Sequence, residues 1–253
     1  MSGVVAIIQG RMASTRLPGK VMADLGGQPL LAHVIRRARA IRGIDQVVVA
    51  TTTDARDKPL LELAEHLGVR GFAGDAEDVL DRYYQAARQH SATLIMRLTA
   101  DCPFLDPQVS HHVLRRFQQE DADYASNAHP PTYPDGLDTE VFSIGALERA
   151  WTEATLSSER EHVTPFIWKN PGIFRLANVA SDRDLSAMRW TVDEPEDLEF
   201  ARSVQRYLHQ DRSFAQLDDL LDVLARHPEL SAINAGIVRD EGYAKSVRAD
   251  GQM

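Results

Sequence analysis

Three cations and two glycines stand directly behind the first apolar run of this chain. VVAIIQ (residues 4–9) gives way to Gly10, Arg11, Arg16, Pro18, Gly19 and Lys20. Glycines let a backbone approach a ligand closely, and Arg16 and Lys20 carry donors that neutralise phosphate oxygens. Such a loop suits a polyanion, most simply a nucleoside triphosphate. It is not a P-loop: eight residues separate Gly10 from Gly19, and Val21 follows Lys20 where Ser or Thr is needed. It also lacks the spaced glycines of a dinucleotide fold. On spacing alone, a solvated basic loop explains it equally well.

Two aspartates offer the complementary chemistry. Asp101 follows TLIMRLT (93–99) and Asp193 follows MRWTV (188–192), each at the end of an apolar run. Mg²⁺ typically takes one or two carboxylates together with phosphate oxygens and waters. Two aspartates placed at the carboxyl ends of strands are what a metal–triphosphate site needs. Taken singly, each reads as a capping or turn residue, Asp101 ahead of Pro103 and Asp193 ahead of Pro195.

The elements that must position these groups alternate. Strands are expected at 4–9, 45–51, 69–74 and 93–99, with helices at 29–41, 58–68, 76–90 and from Pro107 to about Gln119. That rhythm implies a parallel sheet with right-handed crossovers, so the first ~125 residues read as a doubly wound α/β domain. The strands are apolar throughout rather than alternating, which fits burial on both faces. After 125 the pattern changes. NAHPPTYPDG (127–136) reads as a loop and LDTEVFSI (137–144) as a half-buried strand. Helices follow near 145–154 and 160–169, and IFRLANVA and MRWTV read as further strands. EPEDLEFARSVQRYL (194–208) and LDDLLDVLARHP are helical, the first with Pro195 and acids in its first turn. One nucleotide-binding domain over 1–210, carrying a partly antiparallel region at about 127–175, and a helical extension with a tail over 211–253 is the expected organisation.

Composition narrows the function. A net charge of −9 over 253 residues leaves no general basic surface, which argues against nonspecific nucleic-acid binding. Cys102 is the single cysteine, so neither an intrachain disulfide nor a cysteine zinc cluster can form. No secretory leader or run of transmembrane length is visible, and a cytoplasmic protein without membrane contact is expected.

IIQGRMASTRLPGK closely resembles the N-terminal signature of the cytidylyltransferase family that includes the CMP-KDO and CMP-sialic acid synthetases. The usual Ala-Arg or Gly-Arg pair is present as Gly10-Arg11. Ser-x-Arg-Leu-Pro-x-Lys is present as Ser14-Thr15-Arg16-Leu17-Pro18-Gly19-Lys20. VVVATT, GDAEDVLDRYYQAA, RLTADCPFLDP, SSEREHVTPFI and RWTVDEPEDLE extend the likeness over roughly 4–205. The branch it is most similar to is that of spore-coat polysaccharide biosynthesis protein F.

The resemblance implies a Rossmann-like, mixed but mostly parallel sheet of the nucleotide-diphospho-sugar transferase (GT-A) type, with a small antiparallel insertion. It places Ile7, Ile8 and Gln9 at the base, with Gly10, Arg11, Arg16 and Lys20 around the triphosphate. Arg16, Lys20 and Asp101 become the catalytic groups, and Asp101 and Asp193 the Mg²⁺ ligands. Thr51 and Thr52, which otherwise read as turn residues, and Asp75 and Arg82 join the nucleotide site. Glu140, Arg160, His162 and Arg189 are expected on the acceptor side, where an anionic sugar favours Arg and His⁺. For Arg160 and His162 the capping-box spacing from Ser158 to Glu161 offers a purely structural alternative.

The implied reaction joins a nucleoside triphosphate, CTP favoured, to a sugar, sugar acid or sugar phosphate and releases pyrophosphate, with Mg²⁺ as cofactor and a homodimer as the assembly. Guanylyl transfer, glycosyl transfer from a nucleotide-sugar, and nucleotide binding without turnover are the rivals. DAD (121–123) resembles a glycosyltransferase metal motif but does not end an apolar strand, and reads as a solvated turn.

Overall fold

The computed structural model describes residues 3–208 and 214–251. The expected boundary at 210 and the last two residues of the tail lie outside them.

The first strand, β1 (Val4–Gln9), sends Val4, Ala6 and Ile8 to one face of the sheet and Val5 and Ile7 to the other. All five are buried, each fully buried Ile contributing about 1.5–3 kcal/mol. A short hairpin, β2 (Asp24–Leu25) and β3 (Gln28–Pro29), leads into α1 (Leu30–Ala40). The alternation then runs β4 (Gln46–Thr52), α2 (Lys58–His66), β5 (Arg70–Gly74), α3 (Val79–Gln89), β6 (Leu94–Thr99) and α4 (Pro107–Gln119). Asp106 caps α4 by accepting from the amides of Gln108 and Val109, and Pro107 supplies the preset first turn. The second half holds β7 (Tyr124–Ser126), β8 (Glu140–Ser143), α5 (Ile144–Glu153), α6 (Ser157–His162), α7 (Pro165–Trp168) and β9 (Leu176–Asn178). It closes with α8 (Pro195–Gln205), α9 (Leu217–Arg226) and α10 (Glu241–Asp250).

Seven strands form one sheet in the order β5-β4-β1-β6-β8-β7-β9. β1, β4, β5 and β6 pair in parallel, whereas β8 runs antiparallel to both β6 and β7. This is the mixed, mostly parallel α/β sheet that the sequence led us to expect. One core lies between the sheet and α1, α2, α4, α8 and α9; the other lies under α3, α5 and α7. Leu220, Val223 and Leu224 of α9 belong to the first core, so this part of the expected extension is packed onto the main body.

Three expectations change. MRWTV is not a sheet strand. Its backbone instead follows a neighbouring loop, pairing at a single bridge between Asp135 and Arg189, with the Trp190 amide donating to the Asp135 carbonyl at 2.7 Å. The helix expected at 160–169 is two, broken at Val163, whose φ of 72° no α-helix accommodates. The short β7 within YASN was not anticipated.

The loop that carries MRWTV packs against Gly136, whose φ is 105° and whose absent Cβ would stand 2.6 Å from the Thr191 amide nitrogen. Gly136→Ala should therefore destabilise the chain by ~2–3 kcal/mol, read as a lowered urea midpoint at unchanged slope.

Candidate active site

β1 and β6 deliver the site. Gly10 leaves the carboxyl end of β1 close to the turn after β6, and a Cβ there would meet the Ala100 Cβ at 2.7 Å. From Gly10 the chain loops outward and returns through Lys20, which is 8% exposed. Its ammonium donates to Asp101 Oδ2 at 2.7 Å and to Asp193 Oδ1, bringing the two aspartates onto one cation. The Val192 amide, donating to the Asp101 carbonyl at 2.9 Å, ties together the loops that carry them.

The electrostatics follow from this geometry. Burial opposes ionisation of Asp101, but the charge and hydrogen bond of Lys20 outweigh it and bring its pKa down to about 2. Burial likewise opposes the Lys20 charge, and the two aspartates push it up to about 12. Arg16 adds a second cation, 3.1 Å from Asp193, 3.3 Å from Glu194 and 3.5 Å from Glu241.

Positioning residues that the sequence reading missed stand behind this cluster. Asp57, 2% exposed, accepts from the Met12 amide at 2.7 Å and from the hydroxyls of Thr51 and Thr52 at 2.8 and 2.5 Å. Thr51 and Thr52 thus brace the loop after β1 through Asp57. Asp197, fully buried, accepts from the backbone amides of Asp193 and Glu194 and from Arg189 and Asn234. That holds Asp193 in place. Acids in the first turn of α8 were visible in the sequence; their direction toward Asp193 was not.

The other expected residues fall into separate groups. Arg11 reaches the Ala76 carbonyl at 3.3 Å and the buried Arg82 reaches the Asp75 carbonyl at 2.9 Å, so these residues gather beside the loop. Asp75 itself accepts from the amides of Glu77 and Asp78. Ile7 and Ile8 are core residues, whereas Gln9 Oε1 is buried with no hydrogen-bond partner among the described residues.

Of the residues expected on the acceptor side, Glu140, His162 and Arg189 line, together with Arg16, Asp101 and Asp193, a cavity of about 430 Å³. Arg189 is committed to Asp135 at 2.8 Å and Asp197 at 2.9 Å, with Asp193 at 3.4 Å. Glu140 faces Arg97 across the β6–β8 register and pairs with it, also accepting from Tyr124 and Thr164 at 2.6 and 2.5 Å. These bonds hold its pKa low against burial. Burial lowers the pKa of His162, leaving it neutral at pH 7. Arg160 is bound to Asp78 at 2.6 Å and to the carbonyls of Trp151 and Ala154, and is not among the residues lining the cavity. Asp121 and Asp123 both pair with Arg175, an arrangement that suits a surface turn.

Asp135 and Asp138 line the same cavity. Burial, opposed by Arg239 but aided by Asp135 and Asp240, pushes the Asp138 carboxyl up to about 7. A carboxyl raised in the fold binds its proton more tightly there than in the unfolded chain, so its contribution to stability falls as pH rises from about 4 to 7. Asp138→Asn should flatten the decline in melting temperature across that window, as measured by thermal denaturation at successive pH values.

The chemistry of Asp101 and Asp193 fits a magnesium ion. Both are hard carboxylates brought onto one point, beside cations suited to phosphate. Among the described residues no cluster of three or more metal-ligating side chains exists, so such an ion would take the rest of its coordination from phosphate and water.

The fold and this cluster define a nucleotidyltransferase. The cytidylyltransferase family model matches residues 5–221, and the chain belongs to that family. Similar proteins include spore coat polysaccharide biosynthesis protein SpsF of Bacillus subtilis, 30% identical over 236 residues, covering 90% of this chain and 97% of the relative. A 3-deoxy-manno-octulosonate cytidylyltransferase of Anaeromyxobacter is 39% identical over 120 residues, 47% of this chain and 48% of its own. The solved structure of a cytidylyltransferase from Leptospira borgpetersenii superposes with a TM-score of 0.87 at 32% identity, covering 91% of this chain and 97% of that one. No helix among the described residues is long and apolar enough to cross a membrane.

Proposed function

We propose that this chain is an Mg²⁺-dependent cytidylyltransferase that activates a sugar, sugar acid or sugar phosphate for polysaccharide or glycoconjugate synthesis. The observation that carries the reading is the convergence of Asp101 and Asp193 on the Lys20 ammonium, with Arg16 alongside, at the wall of a cavity large enough for a second substrate. The cytidylyltransferase relatives favour CTP, and the unpartnered Gln9 Oε1 at the end of β1 supplies an acceptor for a base donor.

In the reaction an acceptor oxygen attacks the α-phosphorus, the bond to the β-phosphate oxygen breaks, and pyrophosphate leaves. The acceptor proton passes to solvent or a nearby carboxylate. Lys20 and Arg16 hold the phosphates and offset the charge that grows on the departing oxygen. Held by Asp101 and Asp193, Mg²⁺ would neutralise phosphate charge. Asp57 and Asp197 fix the geometry, so most of the rate enhancement comes from orientation and electrostatics.

The test is pyrophosphate release with Mg²⁺, each of the four common ribonucleoside triphosphates, and a panel of neutral sugars, sugar acids and sugar phosphates. Release with CTP and an acceptor, dependent on Mg²⁺, supports the reading. Release only with another nucleotide would overturn the base assignment. Absence of both release and CTP binding would overturn the reading as a whole.

A further inference from the structure

The cavity has a wall that does not come from the matched family region. That match ends at residue 221, yet Val238, Arg239, Asp240, Glu241 and Tyr243 all line the cavity. This segment is fixed in place. Arg239 donates to the Tyr133 carbonyl at 3.1 Å and to Asp138 at 2.5 Å. His162 Nε2 meets Ser246 Oγ at 3.1 Å, and Asp250 accepts from the Ser158 amide at 3.1 Å.

Two features of the wall point to a ligand. Arg239 Nε, which lies 3.9 Å from an Asp240 carboxylate oxygen, Tyr243 Oη and, across the cavity lining, Arg97 Nε are buried atoms with no hydrogen-bond partner among the described residues. Each of these groups can donate a hydrogen bond, so the ligand they suit carries acceptor oxygens. The second feature is aromatic. His129 stacks on Trp168 at 4.5 Å, Trp168 meets Tyr243 edge-on at 5.8 Å, and Tyr243 meets His162 at 5.1 Å. All four line the cavity, giving an apolar surface of the kind that packs against a sugar ring.

We propose that the C-terminal segment selects the acceptor: Arg239 binds an oxyanion, carboxylate or phosphate, on a hydroxylated ring that lies against Trp168 and Tyr243. The inference rests on the nucleotidyltransferase reading and adds to it the residues of this chain that hold the second substrate. Arg189 is less suited to this role because three carboxylates hold it within 3.4 Å, whereas Arg239 has one such close partner, Asp138 at 2.5 Å, with Asp240 farther off at 3.9 Å. Asp138 can take up a proton as an oxyanion arrives, which limits repulsion within an acid-rich cavity.

The experiment uses the full chain with Mg²⁺ and saturation-transfer NMR. Its probes are 3-deoxy-manno-octulosonate, glucuronate, glucose phosphate and, as the neutral control, glucose. CTP affinity is measured separately by calorimetry. The wild type should bind at least one anionic probe in preference to glucose. Arg239→Ala should weaken that binding by about tenfold or more, as loss of a charge-assisted hydrogen bond requires, with CTP affinity unchanged. Arg239→Lys should restore part of it. Preference for a carboxylate over a phosphate probe, or the reverse, identifies the oxyanion. Intact CTP binding with no anionic probe bound, or with Arg239→Ala binding the probes as the wild type does, overturns this inference alone. Absence of CTP binding overturns the nucleotidyltransferase reading beneath it.

Discussion

Replacing Lys20 with methionine should lower kcat by about 10²–10³-fold while leaving the chain folded, the effect of removing one preorganised charge from a transition-state site. Lys20 is the shared counter-ion of Asp101 and Asp193, so its loss leaves two carboxylates facing each other with no cation between them. Methionine keeps the aliphatic stem that packs in this buried position, which separates loss of charge from loss of packing. The measurements are pyrophosphate release at saturating CTP and far-UV circular dichroism. Turnover within a few-fold of wild type would remove Lys20 from the chemistry. The pH profile provides a second check. Asp101 gains stability from the bridge above its ordinary value of 3.8, and that gain is lost as pH falls through about 2. Lys20 contributes below its ordinary 10.5, and its gain is lost as pH rises through about 12. The bridge itself therefore introduces no limb in kcat between about pH 4 and 10.

The residues of the Lys20 cluster were the most legible in the sequence, because their signal is local. A buried strand followed by glycines and cations declares itself within a few positions, as does an aspartate ending an apolar strand at Asp101. Asp193 was singled out on a strand that the fold does not form. MRWTV has the apolar character of a strand, yet its backbone hydrogen bonds go to the loops carrying Asp101 and Asp135. Nothing in five residues specifies that partner. Asp57 and Asp197 were missed for a related reason: each looks like an ordinary acid near a helix start, and only the fold turns Asp57 toward the Met12 amide and Asp197 toward the backbone before α8. Arg239 is the extreme case. Its surroundings in sequence, NAGIVRDEGYAK, carry neither helical nor strand periodicity, and its partners Tyr133 and Asp138 lie about a hundred residues earlier.

Glu140 brings the same lesson to stability, and its removal should be the most destabilising change in the cavity. In the antiparallel pair of β6 and β8 it stands directly opposite Arg97, and it is 4% exposed. Its two oxygens serve Arg97 on one side and the hydroxyls of Tyr124 and Thr164 on the other. Glu140→Ala strands a largely buried guanidinium and two buried hydroxyls at once, which should cost about 3–5 kcal/mol. For a chain of this size that corresponds to a fall in melting temperature on the order of 10 °C. Glu140→Gln combined with Arg97→Met should recover a substantial part of the loss, because no charge is then left buried and the amide oxygen still accepts from Tyr124 or Thr164. Thermal denaturation of the single and double variants gives the coupling between the two positions. A double variant no more stable than Glu140→Ala would mean that the orphaned charge is not the source of the cost. The assignment of Glu140 as the counter-ion that lets Arg97 stand in the cavity wall would then have to be abandoned.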